Sequence, residues 1–176
     1  MTRHLILGGA RSGKSRFAEE QAIQEASARQ QTLHYIATAT TRDDSEMQSR
    51  IVLHQQRRDA RWVLIEEPLD IAVVIANANE MQCVLIDCLT LWLTNALMQN
   101  RWEDKKLAFI EAVKHSSASL FFVSNEVGSG IVPMGELSRQ FVDEAGWLHQ
   151  TLAEHCDQVS LVVAGLPLAL KPNRHF

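Results

Sequence analysis

The run Leu5-Ile6-Leu7-Gly8-Gly9-Ala10-Arg11-Ser12-Gly13-Lys14-Ser15 decides the fold. Three apolar residues end in a pair of glycines, as a buried strand before a turn should. The turn has the spacing G-x-x-x-x-G-K-S, and the residues after it, rich in Ala, Glu and Gln up to about Gln30, favour a helix. In that setting the glycines let backbone N–H groups face inward around phosphate oxygens, and the starting helix adds its positive end to the same anion. Lys14 can reach the β- and γ-phosphates, and the Ser15 hydroxyl is placed to ligate Mg²⁺. Residues 8–15 therefore predict a grip on a nucleoside triphosphate.

Working outward, Thr32–Thr38 reads as a second strand and Arg61–Ile65 as a third, with Pro68 opening a helix over 69–79. Cys83–Ile86 is the clearest buried strand, and it ends at Asp87. Helices follow at about 89–99 and 102–116, then a strand at Ser119–Ser124 and a Gly- and Pro-containing loop from Asn125 to Gly135. A long helix over about 136–155 leads to Val159–Ala164, which reads as the last strand. Alternating strands and helices predict an α/β fold of the phosphate-loop NTPase, RecA-like kind: a mostly parallel sheet with helices on both faces. With no repeat or linker, residues 1–176 read as one nucleotide-binding catalytic domain.

Asp87 stands where the second half of such a site is needed, at the carboxyl end of a buried strand. A carboxylate there can hold Mg²⁺ directly or through water; the alternative is an ordinary acid capping the next helix. A second constellation lies on residues 43–58, whose acidic start (Asp43, Asp44, Glu46) and basic end (Arg57, Arg58) suit a helix dipole. On such a helix Arg50, His54 and either Arg57 or Arg58 share a face. Guanidinium neighbours keep an imidazole neutral and nucleophilic and would hold a phosphate against it, as covalent catalysis by histidine requires. A histidine beside arginines is also a common solvated surface, and the residues alone leave both readings standing.

Composition narrows the class. A net charge of −4 argues against a nucleic-acid-coating protein. The 46% hydrophobic residues supply a core without disulfides or structural metal. Cys83, Cys88 and Cys156 are odd in number and form no C-x-x-C pair, so they read as buried reduced thiols of a reducing compartment. The apolar segment after Met1 runs directly into the loop, leaving no room for a signal peptide, and no stretch approaches the length of a membrane span. The expected location is the cytoplasm.

Further motifs carry a resemblance. G-G-A-R-S-G-K-S at 8–15 contains an Ala10-Arg11 that a generic phosphate loop does not demand. To it are added Y-I-A-T at 35–38, Asp44, Glu46, Met47, Arg50, Ile51 and His54 in the pattern D-x-E-M…R-I-x-x-H, and E-E-P at 66–68. N-E-V-G-x-G-I-V-P at 125–133, the Arg139…Phe141…Asp143…Gly146 spacing and V-A-G-L-P at 163–167 complete the set. Across nearly the whole chain, these resemble the bifunctional adenosylcobinamide kinase/adenosylcobinamide-phosphate guanylyltransferase family of cobalamin biosynthesis.

The resemblance implies phosphorylation of adenosylcobinamide with ATP or GTP, then transfer of GMP from GTP onto the resulting phosphate, giving adenosyl-GDP-cobinamide and pyrophosphate. It implies that His54 carries the guanylyl group as a covalent intermediate. It also places nucleotide contacts at Gly8, Gly9, Ala10, Arg11, Ser12, Gly13, Lys14, Ser15, Ala37, Thr38, Ala39, Gln55, Gln56, Arg57, Arg58, Glu66 and Asp87, with Mg²⁺ on Ser15 and Asp87, and it suggests a homotrimer. Glu66 can accept from the guanine N1–H and N2–H₂ donors; otherwise it is a strand-end surface acid. The chain departs from the pattern at His149-Gln150, where Asn-Gln is expected, and at Leu53 and Gln55, which leave His54 without a basic neighbour some relatives carry. Residues 172–176 read as a frayed end.

Two other classes compete. A generic small-molecule kinase would use Lys14, Ser15 and Asp87 and leave His54 idle. A GTP-driven switch should carry N-K-x-D, but the chain has Ser124-Asn125-Glu126-Val127. An ATP-driven motor subunit would need partner-coupling insertions, for which 176 residues leave little room.

Overall fold

A computed structural model describes residues 1–39, 61–131 and 133–171. Arg3–Gly8 forms β1, whose residues from His4 onward are all buried. The loop then delivers the chain into helix α1, Lys14–Arg29, which stops where Gln30 turns left-handed at φ 57°. Next come β2 (Thr32–Ala37), β3 (Trp62–Glu66), the short helix α2 (Ile71–Ala76) and β4 (Gln82–Asp87). Helices α3 (Leu89–Met98) and α4 (Trp102–His115) precede β5 (Ser119–Asn125). Helix α5 (Glu136–His155), β6 (Gln158–Val163) and β7 (Leu166–Lys171) follow. The expected helix over 43–58, with His54 and Gln55 to Arg58, lies outside the described residues.

The strands make one sheet in the order β3-β2-β4-β5-β1-β6-β7. Every pairing is parallel except that of β6 with β7. Both faces of the interior strands are apolar, so the sheet must be covered twice. Leu5, Leu7, Ile36, Val84, Ile86, Leu120 and Phe122 join a cluster with Ile71, Ile75, Trp92, Phe109, Val113 and Leu148, from α2 to α5. On the opposite face Ile6, Tyr35, Leu85, Phe121 and Val123 meet α1. That helix offers Ala18, Ala22 and Ala26, a stripe at i, i+4 small enough to bring its backbone close to the sheet. Close approach matters, because α1 begins at the phosphate loop.

Two expectations change. The helix after Pro68 is shorter than 69–79, because Leu69 and Asp70 are held outside it by their N–H bonds to Glu67 Oε1 at 2.9 and 2.7 Å. The strand over 159–164 is not the last. It ends at Val163, Ala164 turns at φ 52°, and β7 returns antiparallel as an edge strand exposed throughout. Pro167 within Leu-Pro-Leu-Ala-Leu-Lys argues against an interior strand, and only an edge position accepts it.

Candidate nucleotide site at the carboxyl edge of the sheet

The strand register brings the expected residues together. Ala37 lies level with Glu66 on one side and Asp87 on the other, and Gly8 lies level with Asn125 and Val162. All stand at the carboxyl ends of parallel strands, where open α/β sheets bind ligands.

The phosphate loop is shaped by two of its glycines. A Cβ on Gly8 would sit 2.5 Å from Ser12 Oγ and 2.6 Å from the carbonyl oxygen of Val162, so no larger residue fits there. Gly13 precedes α1 at φ 94°, a left-handed backbone, and contributes no side-chain cap. The first-turn N–H groups of α1 thus point out of the helix end with no side chain answering them. Ser12 Oγ is buried and has no hydrogen-bond partner within the described residues. An acceptor placed in the loop would satisfy such donors.

Lys14 is the first residue of α1 and is only 9% exposed. Its Nζ donates to the carbonyl of Gly9, 3.1 Å away, so the side chain arches across the loop it follows. Burial lowers its pKa, and the negative charge of Asp87 acts in the opposite direction. Lys14 and Asp87 are therefore electrostatic neighbours although they are far apart in sequence.

Helix α3 starts after Cys88, which as N-cap residue makes no side-chain capping bond. The Asp87 carboxylate is gripped from β2: Tyr35 Oη donates to Asp87 Oδ2 at 2.9 Å. Tyr35 is paired with Leu85, two residues before Asp87, so both side chains project from one face of the sheet. The motif Y-I-A-T contains this tyrosine, but sequence reasoning assigned it no role. Only strand register reveals one.

A buried polar network ties the strand ends behind these residues. Thr38 Oγ1 donates to the Cys88 carbonyl at 2.8 Å and accepts from the Cys88 N–H at 2.9 Å. Asn95, buried on α3, donates to the carbonyls of Thr38 (2.9 Å) and Pro68 (3.0 Å) and so joins the exits of β2 and β3. Thr90 Oγ1 lies 3.1 Å from Cys88 Sγ and accepts from Asn125 Nδ2 at 3.2 Å. Asn95 and Thr90 had no sequence signal, since a polar residue in an apolar helix gains meaning only from what it meets. Thr38 is thus a fully buried backbone clamp, whereas Glu66 is exposed. Its neighbour Glu67 holds Leu69 and Asp70.

Ser15 and Asp87 are hard oxygen donors of the kind Mg²⁺ takes. Among the described residues no group of three or more His, Cys, Asp or Glu could hold a metal. Gly9, Ala10 and Arg11 form the exposed rim of the loop, Arg11 at φ 56°. The motif at 125–133 begins against the loop, where the Glu126 N–H donates to the Gly8 carbonyl at 3.1 Å, and continues to Ile131, which is almost fully exposed. Behind it His149 Nε2 meets Ser124 Oγ at 2.7 Å, and burial pulls the imidazole pKa down to about 4. The three cysteines are free and buried, as expected, and burial pushes Cys83 and Cys156 up to about 12.

Comparison with known proteins bears on the fold and the family. Among solved structures, a KaiC-like protein of Pyrococcus horikoshii superposes with a TM-score of 0.50 at 14% identity, covering 91% of this chain and 70% of that one. The flagellar accessory protein FlaH of Methanocaldococcus jannaschii gives 0.52 at 11% identity, covering 98% and 79%. These likenesses establish the RecA-like phosphate-loop fold. In sequence the chain is 50% identical over 173 residues to the bifunctional adenosylcobalamin biosynthesis protein CobP of Pseudomonas aeruginosa, covering 96% of this chain and 97% of that protein. It is 38% identical over 185 aligned residues to the bifunctional adenosylcobalamin biosynthesis protein CobU of Escherichia coli, covering 95% and 98%. Among the described residues no helix is long and apolar enough to cross a membrane. The family model described as cobinamide kinase / cobinamide phosphate guanyltransferase matches residues 4–170, and the chain belongs to that family.

Proposed function

We propose that this chain, as a single catalytic domain over residues 1–176, performs two successive transfers on a cobinamide. In the first, the hydroxyl oxygen of the aminopropanol arm of adenosylcobinamide attacks the γ-phosphorus of ATP or GTP. The bond to the β–γ bridging oxygen breaks, the nucleoside diphosphate leaves and the hydroxyl proton is lost. In the second, an imidazole nitrogen of His54 attacks the α-phosphorus of GTP and pyrophosphate leaves. The phosphate of adenosylcobinamide phosphate then displaces the histidine, giving adenosyl-GDP-cobinamide and restoring the imidazole.

The observation that carries this reading is the buried Lys14, arched over the phosphate loop within the electrostatic reach of Asp87, in a chain that matches the family over residues 4–170. Phosphoryl transfer depends chiefly on position and electrostatic stabilisation, and the loop amides, Lys14 and Ser12 offer donors for that charge. Ser15 and Asp87 would hold Mg²⁺, which when bound neutralises charge developing on the phosphates. Further nucleotide contacts are proposed at Ala37, Ala39 and Glu66, and at Gln55, Gln56, Arg57 and Arg58; Thr38, with no exposed surface, supports them from behind instead of touching the nucleotide. The exposure of Glu66 at the strand edge is compatible with reading a guanine edge. Exposed Leu166, Leu168 and Leu170 on β7 support association between copies, for which we propose a trimer. Three unpaired buried thiols support a cytoplasmic location.

The test is a covalent label. Incubation with α-labelled GTP and Mg²⁺, followed by denaturation, should leave an acid-labile, alkali-stable phosphoramidate that is absent from His54→Ala. Wild-type protein without label would refute the guanylyl transfer. Full kinase activity in Lys14→Ala would refute the role given to the loop.

A further inference from the structure

The turn joining β6 to β7 lies outside every role assigned so far, yet it touches the phosphate loop. It has two residues, Ala164 at φ 52° and Gly165 at φ 81°, the paired left-handed conformation that suits the twist of a hairpin. The N–H of Gly165 donates to the carbonyl of Ser12 at 2.8 Å. Gly13 and Gly165 face each other so closely that a Cβ on Gly13 would lie 3.3 Å from Gly165 Cα. One residue pair away, the Val162 carbonyl bounds Gly8. The end of β6 and its turn thus press on the loop at its first and last glycines, while a Cβ on Gly9 would meet open space.

The Ser12 carbonyl and the Gly13 N–H belong to one peptide unit. In a planar trans unit the two bonds point in opposite directions. With its carbonyl aimed outward at Gly165, the unit directs the Gly13 N–H towards the inside of the loop, where a phosphate oxygen would be received. We propose that Gly165 is a positioning residue for the triphosphate: its N–H holds the Ser12–Gly13 peptide in the orientation that presents Gly13 as a phosphate donor. The proposal rests on the phosphate-binding reading of the loop and is independent of His54.

Glycine is suited to this position by its backbone and not by lack of room. A Cβ on Gly165 would meet only Arg16 Nη2, at 3.8 Å. A side chain is therefore tolerated to the degree that its residue accepts a left-handed backbone, which Asn does and Val does not. Equilibrium binding of ATP and GTP to the full chain should rank Gly165→Asn near wild type, Gly165→Ala weaker, and Gly165→Val weaker by about tenfold or more. Thermal unfolding without nucleotide, measured in parallel, separates this from general damage. Leu168→Thr, an exposed position on the same hairpin but away from the loop, should leave nucleotide binding at the wild-type level. Triphosphate binding by Gly165→Val or Gly165→Ala as tight as wild type would overturn the proposal. So would a loss in Leu168→Thr equal to that in Gly165→Ala. If wild-type protein binds neither triphosphate, the phosphate-loop reading fails and the positioning role fails with it. Absence of a GMP label alone removes the guanylyl step and leaves this result intact.

Discussion

Removing one oxygen atom from Tyr35 should separate a catalytic role of Asp87 from a structural one. Tyr35→Phe keeps the ring, which is 2% exposed and stands edge-on to Trp62 at 5.7 Å. It deletes only the hydroxyl that donates to Asp87 Oδ2 at 2.9 Å. A hydrogen bond to a charged group contributes about 1.5–3 kcal/mol. Asp87 is half-buried, so water recovers part of that, and about 1–2 kcal/mol is a reasonable loss. If the bond aims the carboxylate at the nucleotide's metal and phosphates, the loss falls on the transition state, and kcat/KM for phosphoryl transfer should drop about 5- to 30-fold. The assay is steady-state transfer from ATP to adenosylcobinamide, with Tm measured on the same preparations. A fall of a few degrees in Tm with kcat/KM within about twofold of wild type would refute the reasoning, because Asp87 would then serve only the strand end.

Other outcomes follow from the same geometry. Gly8→Ala should weaken triphosphate binding by about tenfold or more, since its Cβ meets the Val162 backbone carbonyl at 2.6 Å and the loop must shift; isothermal titration checks it. Asn95→Leu leaves the buried Thr38 carbonyl and the part-buried Pro68 carbonyl without their donor and should cost about 1–3 kcal/mol in urea unfolding, with the m-value unchanged. His4 and His149 are held neutral by burial, each with its pKa pulled from 6.5 to about 4. Between those values the unfolded chain binds protons that the folded chain refuses, so stability should be complete above pH 6.5 and fall as the pH drops towards 4. Each histidine should contribute up to about 1.4 kcal/mol per pH unit, and His149→Gln should flatten the profile measured by urea unfolding across that range.

Much of the fold was legible because its signals are local. A phosphate loop needs its glycines, lysine and serine contiguous, and its flanks declare a strand and a helix through a few neighbouring residues. Buried parallel strands such as Cys83–Ile86 are continuous apolar runs, and Asp87 ends one of them. The edge strand β7 was not legible: exposed leucines broken by Pro167 carry neither alternation nor a buried run. For the site, Lys14, Ser15 and Asp87 were named from motif and position. Their supporting residues were not, since Tyr35, Thr90 and Asn95 look like ordinary members of their elements.

By itself, then, the sequence determined the anion-binding loop, the α/β class and, through motifs spread from Gly8 to Pro167, the family. These depend on residue type at short spacing, which the chain carries whether or not it is folded. Tertiary structure alone decided that Tyr35 grips Asp87, that Asn95 joins two strand exits and that Gly165 holds the Ser12 carbonyl. Those partners are separated by dozens of residues or more, and only the sheet order, which inserts β4 beside β2 and β6 beside β1, brings their hydrogen-bonding groups within reach.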